Sequence, residues 1–174
     1  MLIVSQNEPI KNVRKRGDIM KVKWKELIVS IAISLGVGAL SGYLTKDSMS
    51  LYQELVKPPL TPPGWIFPVV WTILFVLMGI SAYLIYVSDS KDKNQALQIY
   101  AIQLMLNFIW SLVFFNMQAY LLAFVILILL WISIIAMIKT FNQINPIAGK
   151  LQVPYLLWVT FAGYLNLAIY FLNK

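Results

Sequence analysis

Long apolar runs separated by short polar stretches set the plan of this chain. Five of them reach the roughly 17–25 residues that a bilayer-spanning helix needs: Leu27–Leu44, Trp65–Val87, Ala96–Phe115, Ala119–Ile138 and Val153–Leu172. None contains Asp, Glu, Lys or Arg. Strict period-two alternation is missing from these runs, which favours helices over barrel strands. Backbone groups that find no water in lipid must bond within the segment, and a helix does that. The expected fold is an all-α integral membrane protein, a five-transmembrane-helix bundle covering residues 20–174.

The connections between the runs are unequal. Only Asn116–Gln118 separates the third from the fourth, so those helices are predicted to be antiparallel neighbours, and Ser88–Gln95 makes a short charged turn between the second and third. The first connection, Thr45–Gly64, is by far the longest interior one, and it carries Leu51, Tyr52, Leu55, Pro58, Pro59, Pro62 and Pro63. A proline costs about 3 kcal/mol inside a helix but is tolerated in its first turn. The prolines therefore predict a stiff, extended lead-in that turns helical near Gly64 or Trp65. With buried-type side chains among them, the segment reads as a structured lid rather than a flexible linker. In the first run, Ser34, Gly38 and Gly42 repeat every four residues, a spacing that lets helices approach closely. Packing within one molecule is the preferred reading over a dimer seam.

Composition narrows the chemistry. Of 174 residues, 60% are hydrophobic and 12% charged, so little chain is left for a soluble domain. The absence of Cys and His removes disulfides, thiolate catalysis, zinc sites and His-ligated haem, and no metal site is expected. Glu8, Asp18, Glu26, Asp47, Glu54, Asp89 and Asp92 all lie outside the runs, which argues against ion-coupled transport. The net charge of +7 is concentrated before the first run, at Lys11, Arg14, Lys15, Arg16, Lys21, Lys23 and Lys25. Lys91, Lys93, Lys139 and Lys150 fall on the same side of a five-helix protein, against Lys46, Lys57 and Lys174 on the other. The positive-inside rule then places the N-terminus in the cytoplasm and the C-terminus outside, in a multi-pass cell membrane. Directly before a membrane helix, such a basic segment is a topology signal, and no nucleic-acid partner is expected. Residues 1–19 lack helical periodicity and precede a conventional start at Met20. We read them as a disordered extension or as the product of an upstream start-codon assignment, with codons resembling a bacterial ribosome-binding site.

The polar and aromatic residues of the runs fall on a few faces. Trp65 and Trp71 open the second run, with Phe75 one turn after Trp71. Gln103, Asn107, Trp110, Ser111 and Phe114 share one side of the third. Trp158, Ala162, Leu165 and Ile169 form a face of the fifth, with Phe161 and Asn166 beside it, and the small Ala162 leaves room next to Trp158. Together these faces predict a flat, apolar, aromatic cavity with few polar groups, under the proline-stiffened lid. Trp24 and Trp65 fit interfacial anchoring equally well. Leu167, Tyr170 and Lys174 fit a loose sterol-contact pattern, but ordinary interface anchoring accounts for them better.

Three blocks of this sequence resemble the TspO/MBR family, the translocator proteins once called peripheral benzodiazepine receptors. They are LYQELVKPPLTPPGWIFPVVWTILFVLMGISAYLIY, LNFIWSLVFF (Leu106–Phe115) and VPYLLWVTFAGYLNLAIY (Val153–Tyr170). Leu51 and Phe108 stand where many relatives carry Trp. The resemblance implies a five-helix homodimer in the lipid bilayer of a bacterium, with a pocket open toward the first loop. It implies protoporphyrin IX and other porphyrins as ligands, together with isoquinoline-carboxamide and benzodiazepine-type drugs. It also implies light- and oxygen-dependent porphyrin degradation that requires no cofactor, porphyrin being the substrate. The resemblance carries over Tyr52, Pro62, Trp71, Phe75, Asn107, Trp110, Trp158 and Ala162 as site residues; of these we assign the photochemistry to Trp71 and Trp158 and ligand binding to the rest, joined by Leu165 from its face of the fifth run. The alternative expectation is a carrier or sensor for porphyrins, sterols or other lipophilic molecules, without chemistry.

Overall fold

A computed structural model describes residues 22–174; the expectation for residues 1–19 lies outside the described residues. In chain order the helices are α1 (Trp24–Thr45), α2 (Met49–Glu54), α3 (Ile66–Tyr86), α4 (Lys93–Phe115), α5 (Tyr120–Ile144), α6 (Pro146–Lys150) and α7 (Val153–Leu172), with a 3₁₀ turn at Lys46–Ser48. The described residues form no strand. Five helices, α1, α3, α4, α5 and the α6–α7 unit, are long and apolar enough to cross a membrane. This is the five-helix bundle that the hydrophobic runs predict.

The boundaries move where polar residues extend a buried face. The fourth apolar run ends at Ile138, yet α5 carries on to Ile144. Phe141 continues the stripe of Ile134 and Met137, and all three are fully buried. Lys139 and Gln143 do not stop the helix because they sit on its exposed side. Asn145 then ends it and caps the next helix, its Oδ1 accepting from the Ile147 and Ala148 N–H groups at 2.9 and 3.3 Å. Pro146 takes the first position of α6, where its missing N–H is harmless. The second run enters its helix as the prolines predict, with Trp65 at the N-cap of α3.

Packing order explains where space remains. α1 lies on α3 and α4, α4 on α5, and α5 on α7, while α6 touches α3 and α5. α1 and α3 approach so closely at Gly79 that a Cβ there would stand 2.5 Å from the Ile31 Cα. The Ser30 hydroxyl donates to the Gly79 carbonyl at 2.8 Å in the same crossing. Ser34 is hydrogen-bonded to the Tyr100 hydroxyl of α4 at 2.5 Å, and Gly38 meets the Phe75 ring of α3. Ser34 and Gly38 thus serve packing inside the molecule, whereas Gly36 and Gly42 face open space. α3 and α7 are not closely packed partners. Aromatic rings fill the distance between them instead, Phe67 against Trp158 at 5.9 Å and Trp71 against Tyr155 at 6.2 Å between centroids.

Candidate functional site: an aromatic cavity under the first loop

Because α3 and α7 stand apart, a cavity of about 1280 Å³ opens between α1, α3, α4 and α7, beneath the first loop. That exceeds the roughly 300–1,000 Å³ common for small-molecule sites. All nine site residues proposed from the sequence line it: Tyr52 and Pro62 from the loop, Trp71 and Phe75 from α3, Asn107 and Trp110 from α4, and Trp158, Ala162 and Leu165 from α7. α5, the most apolar of the five, contributes nothing to the wall.

The rings are held in fixed positions. Trp71 lies 5.7 Å from Phe75 and 6.2 Å from Trp110, both tilted at about 30–40° to its plane. The Trp110 indole N–H donates to Asn166 Oδ1 at 3.1 Å, and Asn166 in turn donates to the Tyr120 carbonyl at 2.8 Å. Asn107 donates to the Tyr155 hydroxyl at 3.1 Å, joining α4 to α7 and making the floor of the cavity. The Trp158 indole N–H is buried and makes no hydrogen bond within the protein. A donor left without a partner in an apolar wall costs roughly 1–3 kcal/mol, which an acceptor on a ligand would offset. The cavity is otherwise short of ionisable groups. Lys57 in the loop is the one charged side chain among the lining residues, and its Nζ lies 5.3 Å from the centre of the Tyr52 ring.

Tyr52 forms the roof. It contacts Phe67, Phe114 and Phe115 at centroid distances of 6.5, 6.1 and 5.5 Å. Burial raises the pKa of its hydroxyl, so it remains a neutral donor throughout the physiological range. Pro58 is buried beneath the loop, while Pro59 faces outward.

Some residues on the proposed faces lie elsewhere. Gln103 shares a side of α4 with Asn107 but sits below the floor, fully buried, with its Nε2 against the Met78 sulfur at 3.7 Å. Phe161 packs beside Trp158 and Tyr164 outside the cavity. Sequence reasoning did not single out Phe67, Ser41, Thr45 or Tyr155. Tyr155 had a signal: it precedes Trp158 by one helical turn.

Crossing helices around an internal, loop-capped aromatic chamber define a multi-pass helical membrane protein. The chain belongs to the TspO/MBR family, whose pattern matches residues 30–172. It is similar to the tryptophan-rich protein TspO of Chlorobaculum tepidum, 43% identical over 84% of this chain and 95% of that protein. The tryptophan-rich sensory protein of Cereibacter sphaeroides is 36% identical over 88% of this chain and 95% of its own length. The human translocator protein is 31% identical, with 81% and 85% covered.

Proposed function

We propose that the chamber binds protoporphyrin IX and promotes its degradation in the presence of light and oxygen. The observation that carries this reading is the wall itself, a chamber of about 1280 Å³ lined by Trp71, Trp110 and Trp158 with few polar groups. A flat macrocycle stacks favourably on such rings, and its polar edge can meet the Trp158 N–H, the Tyr52 hydroxyl and the Asn107 amide. An excited porphyrin sensitises oxygen, and a neighbouring indole gives up an electron or is itself oxidised. In this reading Trp71 and Trp158 are the indoles that react, and the reaction needs positioning rather than acid–base groups. The same chamber suits isoquinoline-carboxamide and benzodiazepine-type drugs, which are flat and apolar with one carbonyl acceptor. Loop charge favours the lid on the outer face of a bacterial membrane, and family resemblance favours a homodimer.

The test is the absorbance of purified protein with protoporphyrin IX, in light and in darkness, beside a Trp71→Phe/Trp158→Phe variant. Light-dependent loss of the porphyrin band with one defined product, abolished in the variant while binding persists, supports the reading. Normal turnover by the variant rejects the tryptophan mechanism. A stable bound spectrum with no turnover supports the second reading, a carrier or sensor, which the names of the sensory and translocator relatives also favour.

A further inference from the structure

The first loop is fastened to α7 by two side chains that neither face the chamber nor take part in the proposed chemistry. From Leu55 to Trp65 the chain is not helical, so its backbone groups need partners outside a helix. Val56 finds both of its partners in one residue. Its N–H donates to Asn173 Oδ1 at 2.9 Å, and its carbonyl accepts from Asn173 Nδ2 at 3.0 Å. The same Nδ2 donates to the Ile169 carbonyl at 2.9 Å, which ties the clamp to the last turn of α7. Three residues further along the loop, the Pro59 carbonyl accepts from the Tyr164 hydroxyl at 3.0 Å. The base of the loop is held separately, by Asn116, which donates to the Leu44 carbonyl at 2.9 Å and accepts from Ser48 at 2.8 Å.

The fastened stretch is also the roof. Lys57, Pro58, Thr61 and Pro62 all line the chamber, so moving Val56 and Pro59 away from α7 uncovers it. Beyond Pro59 the loop makes a tight turn, the Thr61 N–H reaching the Pro58 carbonyl at 3.4 Å. Its third position is Leu60, at φ 69°, where glycine is the usual occupant. Leu60 is 79% exposed, so its own side chain does not hold the turn, and packing there rests on the buried Pro58. With Pro58 as the packed anchor, the side-chain bonds to α7 are the hydrogen bonds that tie the outer half of the loop to a membrane helix. They are solvent-exposed, and such bonds are individually weak enough to break and reform.

We propose that Asn173 and Tyr164 are positioning residues: they hold the loop closed and set how fast a ligand enters and leaves the chamber. The proposal rests on the reading of the chamber as the ligand site, and its first test does not. Hydrogen–deuterium exchange on ligand-free protein in lipid nanodiscs compares the wild type with Asn173→Ala and Tyr164→Phe. Both variants should exchange the amides of residues 53–64 about tenfold faster, with α3, α4 and α5 protected as before. Tyr164→Phe keeps the Asn173 cap on α7, so it separates loosening of the loop from fraying of the helix. Asn173→Asp, which retains the acceptor for the Val56 N–H, should fall between Asn173→Ala and wild type. Unchanged loop exchange in both variants overturns the latch.

The second test follows protoporphyrin IX by stopped-flow fluorescence. Association and dissociation should both quicken in the variants, by a similar factor, leaving the Kd within about twofold. Faster loop exchange with unaltered dissociation overturns the claim that the latch governs the ligand. If wild type binds no protoporphyrin IX, the proposed ligand falls, and the exchange result alone then decides the latch.

Discussion

The two ends of this bundle are packed by opposite rules. In the half away from the first loop, small residues and hydroxyls draw the helices together: Gly79 against Ile31, Ser34 on Tyr100, and Ser81 donating to the Ala148 carbonyl at 2.7 Å. Met78, Ile85, Met137 and Phe141 fill what remains and are inaccessible to solvent. In the loop half, the helices are held apart by rings, and the space between them stays open. The Asn107–Tyr155 bond marks the boundary. One set of helices can therefore supply both a rigid base and a chamber, because side-chain size changes along each helix while the helices themselves run on unbroken. In lipid, where apolar contact gives little drive for helices to associate, the closed half carries the packing that keeps the open half from collapsing.

The most damaging way to break this contrast is to wedge the closed half. Gly79→Leu places a side chain against the Ile31 backbone, which cannot move aside as a flexible side chain would. Overpacking of this kind typically costs about 1–3 kcal/mol and here should exceed that range. Thermal unfolding in detergent should show a large drop in midpoint, or no folded protein at all. Ala162→Phe instead fills the open half. It should weaken protoporphyrin IX binding at least about tenfold, as a lost ~1.4 kcal/mol would, while leaving the unfolding midpoint near that of wild type. Gly38→Ala acts at the junction, since its new methyl displaces the Phe75 ring. That ring belongs to the chamber wall, so ligand affinity should fall more than stability does.

Smaller effects sharpen the boundary. Tyr155→Phe removes the partner of Asn107 and should cost about 1 kcal/mol of stability, read by the same unfolding assay. The smallest expected effect is on pH. Because burial raises the Tyr52 pKa, the folded roof holds the proton more tightly than the unfolded chain does. The contribution is thus complete below the ordinary tyrosine value of about 10 and is lost as pH rises beyond it. The protection of the loop amides, corrected for base-catalysed intrinsic exchange, should be insensitive to Tyr52 across the neutral range and fall only in strong alkali.

Much of this was legible along the chain because it rests on local signals. Apolar runs free of charge gave the five helices, and prolines 58, 59, 62 and 63 marked the entry to α3 at Trp65. Helical spacing brought Asn107 with Trp110, and Trp158 with Ala162 and Leu165, to one chamber. Spacing could not tell a chamber wall from a buried floor. Gln103 shares the face of Asn107 but lies lower, where Met78 and its neighbours close the bundle. The extension of α5 to Ile144 was hidden by Lys139 and Gln143, polar on the outer side of a helix whose inner side stays apolar. Least legible were the bonds from Asn173 to Val56 and from Tyr164 to Pro59, which join residues more than a hundred positions apart. Nothing local in either segment announces the other.

The central claim is that the open, aromatic half is where the ligand sits. A titration of protoporphyrin IX, followed by its main absorption band in wild type and Ala162→Phe, tests it most directly. The account predicts saturation at one porphyrin per chain for wild type and at least about tenfold weaker binding for the variant, with unchanged unfolding. Equal affinity in the two proteins would contradict it, because a ligand indifferent to Ala162 does not occupy this chamber.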